Sequence, residues 1–513
     1  MILFTLFGVS WLLAGCTAPP RVLLPDEQHA IDRKDVEYPG GYELRRFATG
    51  LTAPTCEAFD ADGSLLIAQG ERGDEPQIWR FPRSGAAPVL VYPRKPKFPF
   101  YLARGGWRMY GPIGGMVVAD GKIIVTHRDE HDQGVVTELD SAGNHTTLVA
   151  GMPAQGEYGL TDLAINPVTG DLWFGCGTYT NSGVVGIDDW AMRWVRDHPE
   201  LHDVPWHDIE LLGYKFQTPN PLAGLFGPAD LAVTAAFQAF SQSFAIRIPG
   251  SPDGRPSGAI YSVPRHGGFP QVQGHGIHNP SGIVFNEYAQ AYFTNQGMEM
   301  RGTRPIKNDP CALLRLLLDG NVWFGWPDYT ADLRSVGEPL YQPPEWMISR
   351  SGYPQVRPLI DQRASGLEAP RRDALLEAAF PSLSGAGKLA FYRGPNREYR
   401  DNLIVVLSGD RTPFASGGVV LPRREGFKVV RVDLARHVTA DFVRNVHDLP
   451  GSSIGHNPDL IERPFDVKFG PDGAMYILDE GRMQMKDGRE HFDKGSGQIF
   501  RLVPVRPAAT QGK

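Results

Sequence analysis

Apolar and polar positions alternate in short paired runs, and one phrase recurs six times: two apolar segments flank a tight turn, and a polar cluster follows. The copies fall at 56–67, 115–125, 163–174, 282–293, 388–407 and 466–477. Asp62-Gly63, Asp120-Gly121 and Asp472-Gly473 mark the turns in the first, second and last copies. A period of two predicts strands, and a tight Asp-Gly link predicts a hairpin. In the last copy Phe465, Val467, Phe469, Met475 and Ile477 are expected to share inter-sheet space. One hairpin cannot bury its apolar face alone, so the copies must pack on each other. Six such units predict an all-β chain folded as a six-bladed β-propeller, with the blade loops gathered round a central mouth. A doubly wound α/β fold would need helices of about ten residues or more between the strands, and most of these links are far shorter.

The spacing of the copies is uneven. Between the third and fourth lies an insertion, about 187–250. Trp190, Trp194 and Val195 recur there at helical spacing, and the run 231–240 reads as a second helix, so a partly helical elaboration over one rim is expected. A short charged helix is expected near 371–380, and the segment 498–504 reads as the outer strand that closes the last blade.

Composition agrees with many short strands. Of 513 residues 42% are apolar, and Gly 59 and Pro 44 supply the turns. The net charge of −7, with no basic stripe interleaved with aromatics, argues against a nucleic-acid partner. Local arginines can still hold an anion. Cys56, Cys176 and Cys311 sit in apolar runs without CxxC spacing, which predicts buried small hydrophobes rather than a zinc site. The chain has no CxxCH, so it carries no c-type haem of its own.

Residues 1–16 read as a secretion signal: 2–13 are almost wholly apolar and too short to span a bilayer. The stretch Leu13, Ala14, Gly15, Cys16 resembles the bacterial lipobox, which implies a lipid anchor at Cys16 on the periplasmic side or elsewhere in the cell envelope. The expected layout is then a tether at 17–41, the propeller at 42–503 and a tail at 504–513. Membrane contact is expected only through that anchor.

An ordered series of phrases runs through 158–163, 180–186, 256–261, 278–283, 295–305, 323–329 and 462–473. Together they resemble the glucose/sorbosone dehydrogenase family, over about 42–503. The resemblance implies a soluble quinoprotein propeller that uses pyrroloquinoline quinone (PQQ) and calcium. It would oxidise a sugar or aldehyde and pass electrons to an external acceptor. The family's Arg-Asn pair maps onto His278 and Asn279, its calcium-binding carbonyls onto Gly297 and Met298, and one Arg onto Arg463. A second Arg maps onto Phe465, and a family Lys falls near Asp410 and Arg411. The family's general-base His has no counterpart in 110–116.

The residues give their own candidates. His278 can accept a proton, as replacement base or replacement for the missing Arg, with Asn279 beside it. Arg301, Arg304, Arg411 and Arg463 are candidate partners for the quinone's carboxylates, since a planar guanidinium suits them. Fixing a loop through backbone carbonyls is the rival role for Arg301 and Arg304. His127 or His131 is a possible base from a neighbouring loop, and His198, His202 and His207 a possible metal patch set against a plain exposed cluster. Trp323, Trp326, Tyr329, Tyr179 and Asn181 are possible substrate contacts. Two other readings stay open: a propeller without redox chemistry that binds a glycan or protein, and a calcium-dependent lactone hydrolase using Glu57, Asn279 and Asp410.

Overall fold

A computed structural model describes residues 18–94, 107–221, 231–317, 322–455 and 457–505. The expected signal and Cys16, and the part of the insertion at 222–230, lie outside the described residues. Each of the six phrases forms an antiparallel strand pair, beginning with Pro54–Phe59 against Leu65–Gln69. The innermost strands are Pro54–Phe59, Tyr110–Ala119, Leu160–Ile165, Pro280–Phe285, Ala386–Phe391 and Pro464–Phe469. Each touches the next, and the sixth touches the first, so the six sheets close into a ring. This is the six-bladed propeller.

Alternation along a strand feeds two cores at once. In Leu65–Gln69, Leu65 and Ile67 pack toward the sixth blade while Leu66 and Ala68 pack toward the second. In Met475–Asp479, Met475 and Ile477 face the fifth blade, and Tyr476 and Leu478 face the first. Both faces of these strands are buried because every sheet is sandwiched between neighbours. Val467 and Phe469 join the expected inter-sheet core, whereas Phe465 faces the axial cavity. Cys56, Cys176 and Cys311 are buried and free.

Ring closure differs from the expectation. Gly497–Pro504 is the third strand of the sixth blade, and Tyr42–Leu51 from the chain start pairs outside it. Joining an early and a late segment of the chain in one sheet locks the ring. Part of the expected tether also docks. Arg21–Val22 adds an edge strand to the sixth blade, Val36–Glu37 one to the fifth, and Ile31, Val36 and Tyr38 enter the core between them.

The insertion holds two short helices, Ile187–Ala191 and Trp194–Asp197. The run expected to be a second helix instead holds the strand Leu231–Ala235, paired with Lys215–Pro219. Near 371–380 a single turn, Arg372–Leu375, leads into Leu376–Ser382, the outermost strand of the fourth blade. Among the described residues no helix is long and apolar enough to cross a membrane.

Candidate functional site

The innermost strands all start at one end of the axis, and a cavity of about 290 Å³ opens there. Thr55, Gly114, Thr161, Ser281, Lys388 and Phe465 supply its floor from all six blades. The strand ends, including Phe59, Val117, Phe285 and Phe469, border a second cavity of about 550 Å³ at the opposite face. Between the two lies a belt of charge from mid-strand positions. Lys388 donates to the carbonyls of Thr55 (2.9 Å) and Gly114 (2.6 Å) and stands 3.7 Å from Asp162. Lys468 donates to Asp466 at 2.8 Å. Glu57 is fully buried beside Asp466 and Lys468, and burial holds its carboxyl well above the usual range.

Tyr110–Ala119 passes this floor as near-bare backbone. A Cβ on Gly114 would stand 2.2 Å from the carbonyl oxygen of Leu160, and one on Gly115 2.4 Å from the Leu163 nitrogen. The second and third blades meet so closely here that these two positions exclude any side chain. Pro112, Ile113 and Gly114 line the cavity, so this wall contributes no base.

Cations dominate one side of the mouth: Arg72, Arg128 and Arg489 all line it. Arg72 donates to the carbonyls of Gln155 and Gly156, and Arg128 to that of Ala154. Burial, with Arg72 nearby, depresses Arg128 to about 9, and burial with Arg72 and Arg193 lowers Arg489. Asp132 stands 3.4 Å from Arg72 and 3.8 Å from Arg128, and the remaining excess of like charge in a partly dry wall favours an anion. The Nε of Arg489 is buried without a partner.

Arg411 also lines the cavity and pairs with Glu490 at 2.5 Å. Burial opposes its charge, but Glu490, Glu299, Tyr158 and Glu480 outweigh that and hold its pKa raised. Tyr158, Phe414, Phe465 and Phe492 give the cavity aromatic surface. The hairpin Met483–Lys486 with Arg489–Phe492, inserted in the sixth blade, forms one rim. It leans on the insertion: a Cβ on Gly488 would meet the Ala191 carbonyl at 2.6 Å. The insertion gives the cavity wall only Met192 among the described residues.

The residues singled out from the sequence divide. Asn279 and Arg411 are in the wall. His278 is buried just behind it, edge-on to Tyr158, with Nδ1 2.9 Å from the Gln296 carbonyl and Nε2 unpartnered. Burial depresses it to about 4, which keeps it neutral. Arg463 does not reach the cavity. Its guanidinium donates to the carbonyls of Ser408, Gly409 and Asp410, so it fixes the loop that carries Arg411. Arg304 is buried on the carbonyls of Ser182, Pro327 and Arg357, the loop-fixing role. Arg301 is spent on three carboxylates, Glu157, Asp188 and Glu299.

Gly297 and Met298 lie in tightly packed backbone: a Cβ on Gly297 would meet the Asp309 and Pro310 carbonyls at 2.5 and 2.6 Å, and the Met298 N–H donates to Asp309. Among the described residues no three His, Cys, Asp or Glu side chains group as a metal site. Among them no carboxylate cluster therefore joins the Gly297 and Met298 carbonyls to complete the six to eight oxygen ligands that calcium takes. The histidine patch at 198–207 is not assembled as a metal site either.

His127 is buried on the Arg128 carbonyl and Thr137, and His131 is exposed; neither lines the cavity. Tyr179, Asn181, Trp323 and Trp326 are buried in packing outside that wall. Glu57, Asn279 and Asp410 do not converge: Asp410 is held by Arg424, while Glu57 lies in the axial belt. Sequence reading missed Arg72, Arg128, Arg489 and His491. His491 lines the cavity 3.6 Å from Glu71, and its only sequence signal is a charged excursion between the second and third strands of the sixth blade.

No protein-family model matches the chain. No curated protein matches it. Solved structures do. The holo form of the pyranose dehydrogenase PQQ domain from Coprinopsis cinerea is similar at TM-score 0.51 and 15% identity, over 92% of this chain and 98% of that one. The iodide structure of Trichoderma reesei Carbohydrate-Active Enzymes Family AA12 is similar at TM-score 0.51 and 13% identity, over 92% and 98%. The calcium structure of the same protein gives 0.50 and 14%, over 92% and 97%. The likeness is one of fold. The chain shares nearly the whole length of these propellers, while the wall of its mouth is set by its own residues.

Proposed function

We propose that the mouth binds pyrroloquinoline quinone and oxidises a sugar or aldehyde, with electrons leaving to an external acceptor. One observation carries this reading: Arg72, Arg128 and Arg489 meet on one side of a cavity with aromatic walls, whose other cations, Lys388 and Arg411, are engaged by backbone carbonyls and by Glu490, on a fold shared with a PQQ domain. Three carboxylates on a flat ring system match that wall. The arginines would hold the carboxylates by charge-assisted hydrogen bonds, and Phe414 and Phe465 would flank the ring. When bound, the quinone would supply the hydride acceptor.

The chain's own task is to hold the substrate hydroxyl and take its proton. His491 is the histidine in the cavity wall, and Glu71 stands 3.6 Å from it. Glu71 is itself fixed by the Phe492 N–H at 3.0 Å. An imidazole in the cavity wall suits a general base for a substrate hydroxyl. The tether would place this mouth at the cell envelope, with Cys16 acylated. Its support is the sequence around Cys16, and loss of membrane fractionation in Cys16→Ser would test it.

The deciding experiment adds the quinone to purified protein, follows tryptophan quenching and bound-cofactor absorbance, then offers aldoses with a redox dye. Saturable binding with dye reduction is expected. Absence of binding overturns the proposal. Binding without turnover on any sugar would favour a second reading, a propeller that retains an anion site but no redox activity. The observation behind that reading is the glycine wall at 111–115, which supplies no base.

A further inference from the structure

We propose that the guanidinium of Arg301 is the resident cation behind the mouth wall, standing where a metal ion would otherwise be needed, so that ligand binding here requires no divalent ion. Each donor edge of the guanidinium meets a different carboxylate: Nε donates to Glu299, Nη1 to Asp188 at 2.6 Å, and Nη2 to Glu157. Glu157 and Glu299 are part of the cavity wall. Arg301 is 3% exposed, and its open face is covered by the Phe414 ring at 5.0 Å. Glu157 and Asp188 are 144 and 113 residues away in sequence, so the tertiary fold brings two of the three acids to the arginine, while Glu299 is local.

The surroundings are shaped for it. Gly302 has φ +76, and a Cβ there would lie 2.3 Å from a carboxylate oxygen of Asp188. A Cβ on Gly186 would lie 2.0 Å from the Thr303 hydroxyl. Both glycines let the acidic segment close on the arginine. One cation faces three acids, with Arg411 adding its field at Glu299. Glu157 Oε2 and Asp188 Oδ1 remain buried without partners. Without the guanidinium this pocket would hold a large excess of uncompensated negative charge, the setting in which a hard divalent cation binds. A covalently attached guanidinium cannot be removed by a chelator.

The inference is independent of the quinone reading, because its test uses calcium alone. Purified wild-type protein is dialysed against EDTA, and calcium content and melting temperature are measured with and without added calcium. No stoichiometric calcium and an unchanged melting temperature are expected. The variant Arg301→Met is expected to melt lower, to gain one calcium per chain by titration, and to recover stability when calcium is added. Adding Glu299→Gln to it should abolish that gain. One tightly held calcium in the wild type, lost in Glu299→Gln, overturns the inference. A folded Arg301→Met that binds no calcium overturns it too. If Arg301→Met does not fold, the wild-type measurements with Glu299→Gln decide alone.

Discussion

Lys388 on the innermost strand of the fifth blade reaches across the axis and donates to the carbonyl of Thr55 on the first, at 2.9 Å. The same ammonium takes the Gly114 carbonyl and stands near Asp162, so one side chain ties four blades together beneath the mouth. Lys388→Met should leave the buried Asp162 and both carbonyls without this partner. A loss of about 3 kcal/mol is expected, read from urea unfolding against wild type. An unchanged midpoint would show that the axial belt contributes nothing to closing the ring.

Arg489 offers a cleaner probe of the anion site, since its Nε is buried without a protein partner, and burial, with neighbouring cations, already disfavours its charge. Arg489→Gln should shift stability by no more than about 0.5 kcal/mol. Its quinone dissociation constant should rise by about tenfold or more. Fluorescence titration measures both wild type and variant. Equal affinities would remove Arg489 from the site.

For turnover, the side chain to test is His491. His491→Ala should lower dye reduction by a factor of about 10² to 10⁴ while quinone binding stays near wild type. Parallel loss of binding would mean that the imidazole holds the ligand instead of taking its proton.

Buried neutral His278 makes stability depend on pH with a defined sign. Its folded pKa, about 4, lies below the unfolded value of 6.5. Its contribution is therefore present above 6.5 and is lost as pH falls from there toward 4. Between pH 7.5 and 5.0 the loss amounts to about 2 kcal/mol. His278→Gln should flatten the pH dependence of unfolding by that amount, measured as the wild-type-minus-variant difference so that the raised buried carboxylates cancel. An unaltered difference would place the protonated imidazole in the folded state.

The legible part of the sequence was local. Strict alternation at Leu65 to Ala68 and the turn at Asp472-Gly473 dictate hairpins wherever the chain folds, because side chains of a strand point to opposite faces in turn. The run at 231–240 shows where that reading fails. Ala232, Ala235, Ala236 and Ala239 suit a helix, yet 231–235 pairs with Lys215–Pro219, and the pairing partner decided the outcome. Closure by Tyr42–Leu51 was equally invisible, since nothing near 42–51 announces that it will meet Gly497–Pro504.

The amino-acid order alone set six hairpins, their apolar faces, and hence a ring of sheets around an axis. It did not determine which arginines serve the mouth. Arg301, Arg304 and Arg463 looked suitable and are spent on carboxylates or backbone carbonyls, whereas Arg72, Arg128 and Arg489 face the cavity. The reason is physical. Burial pattern repeats every second residue and is written locally, but the partner of a charged side chain depends on which distant segments ring closure brings within a few ångströms.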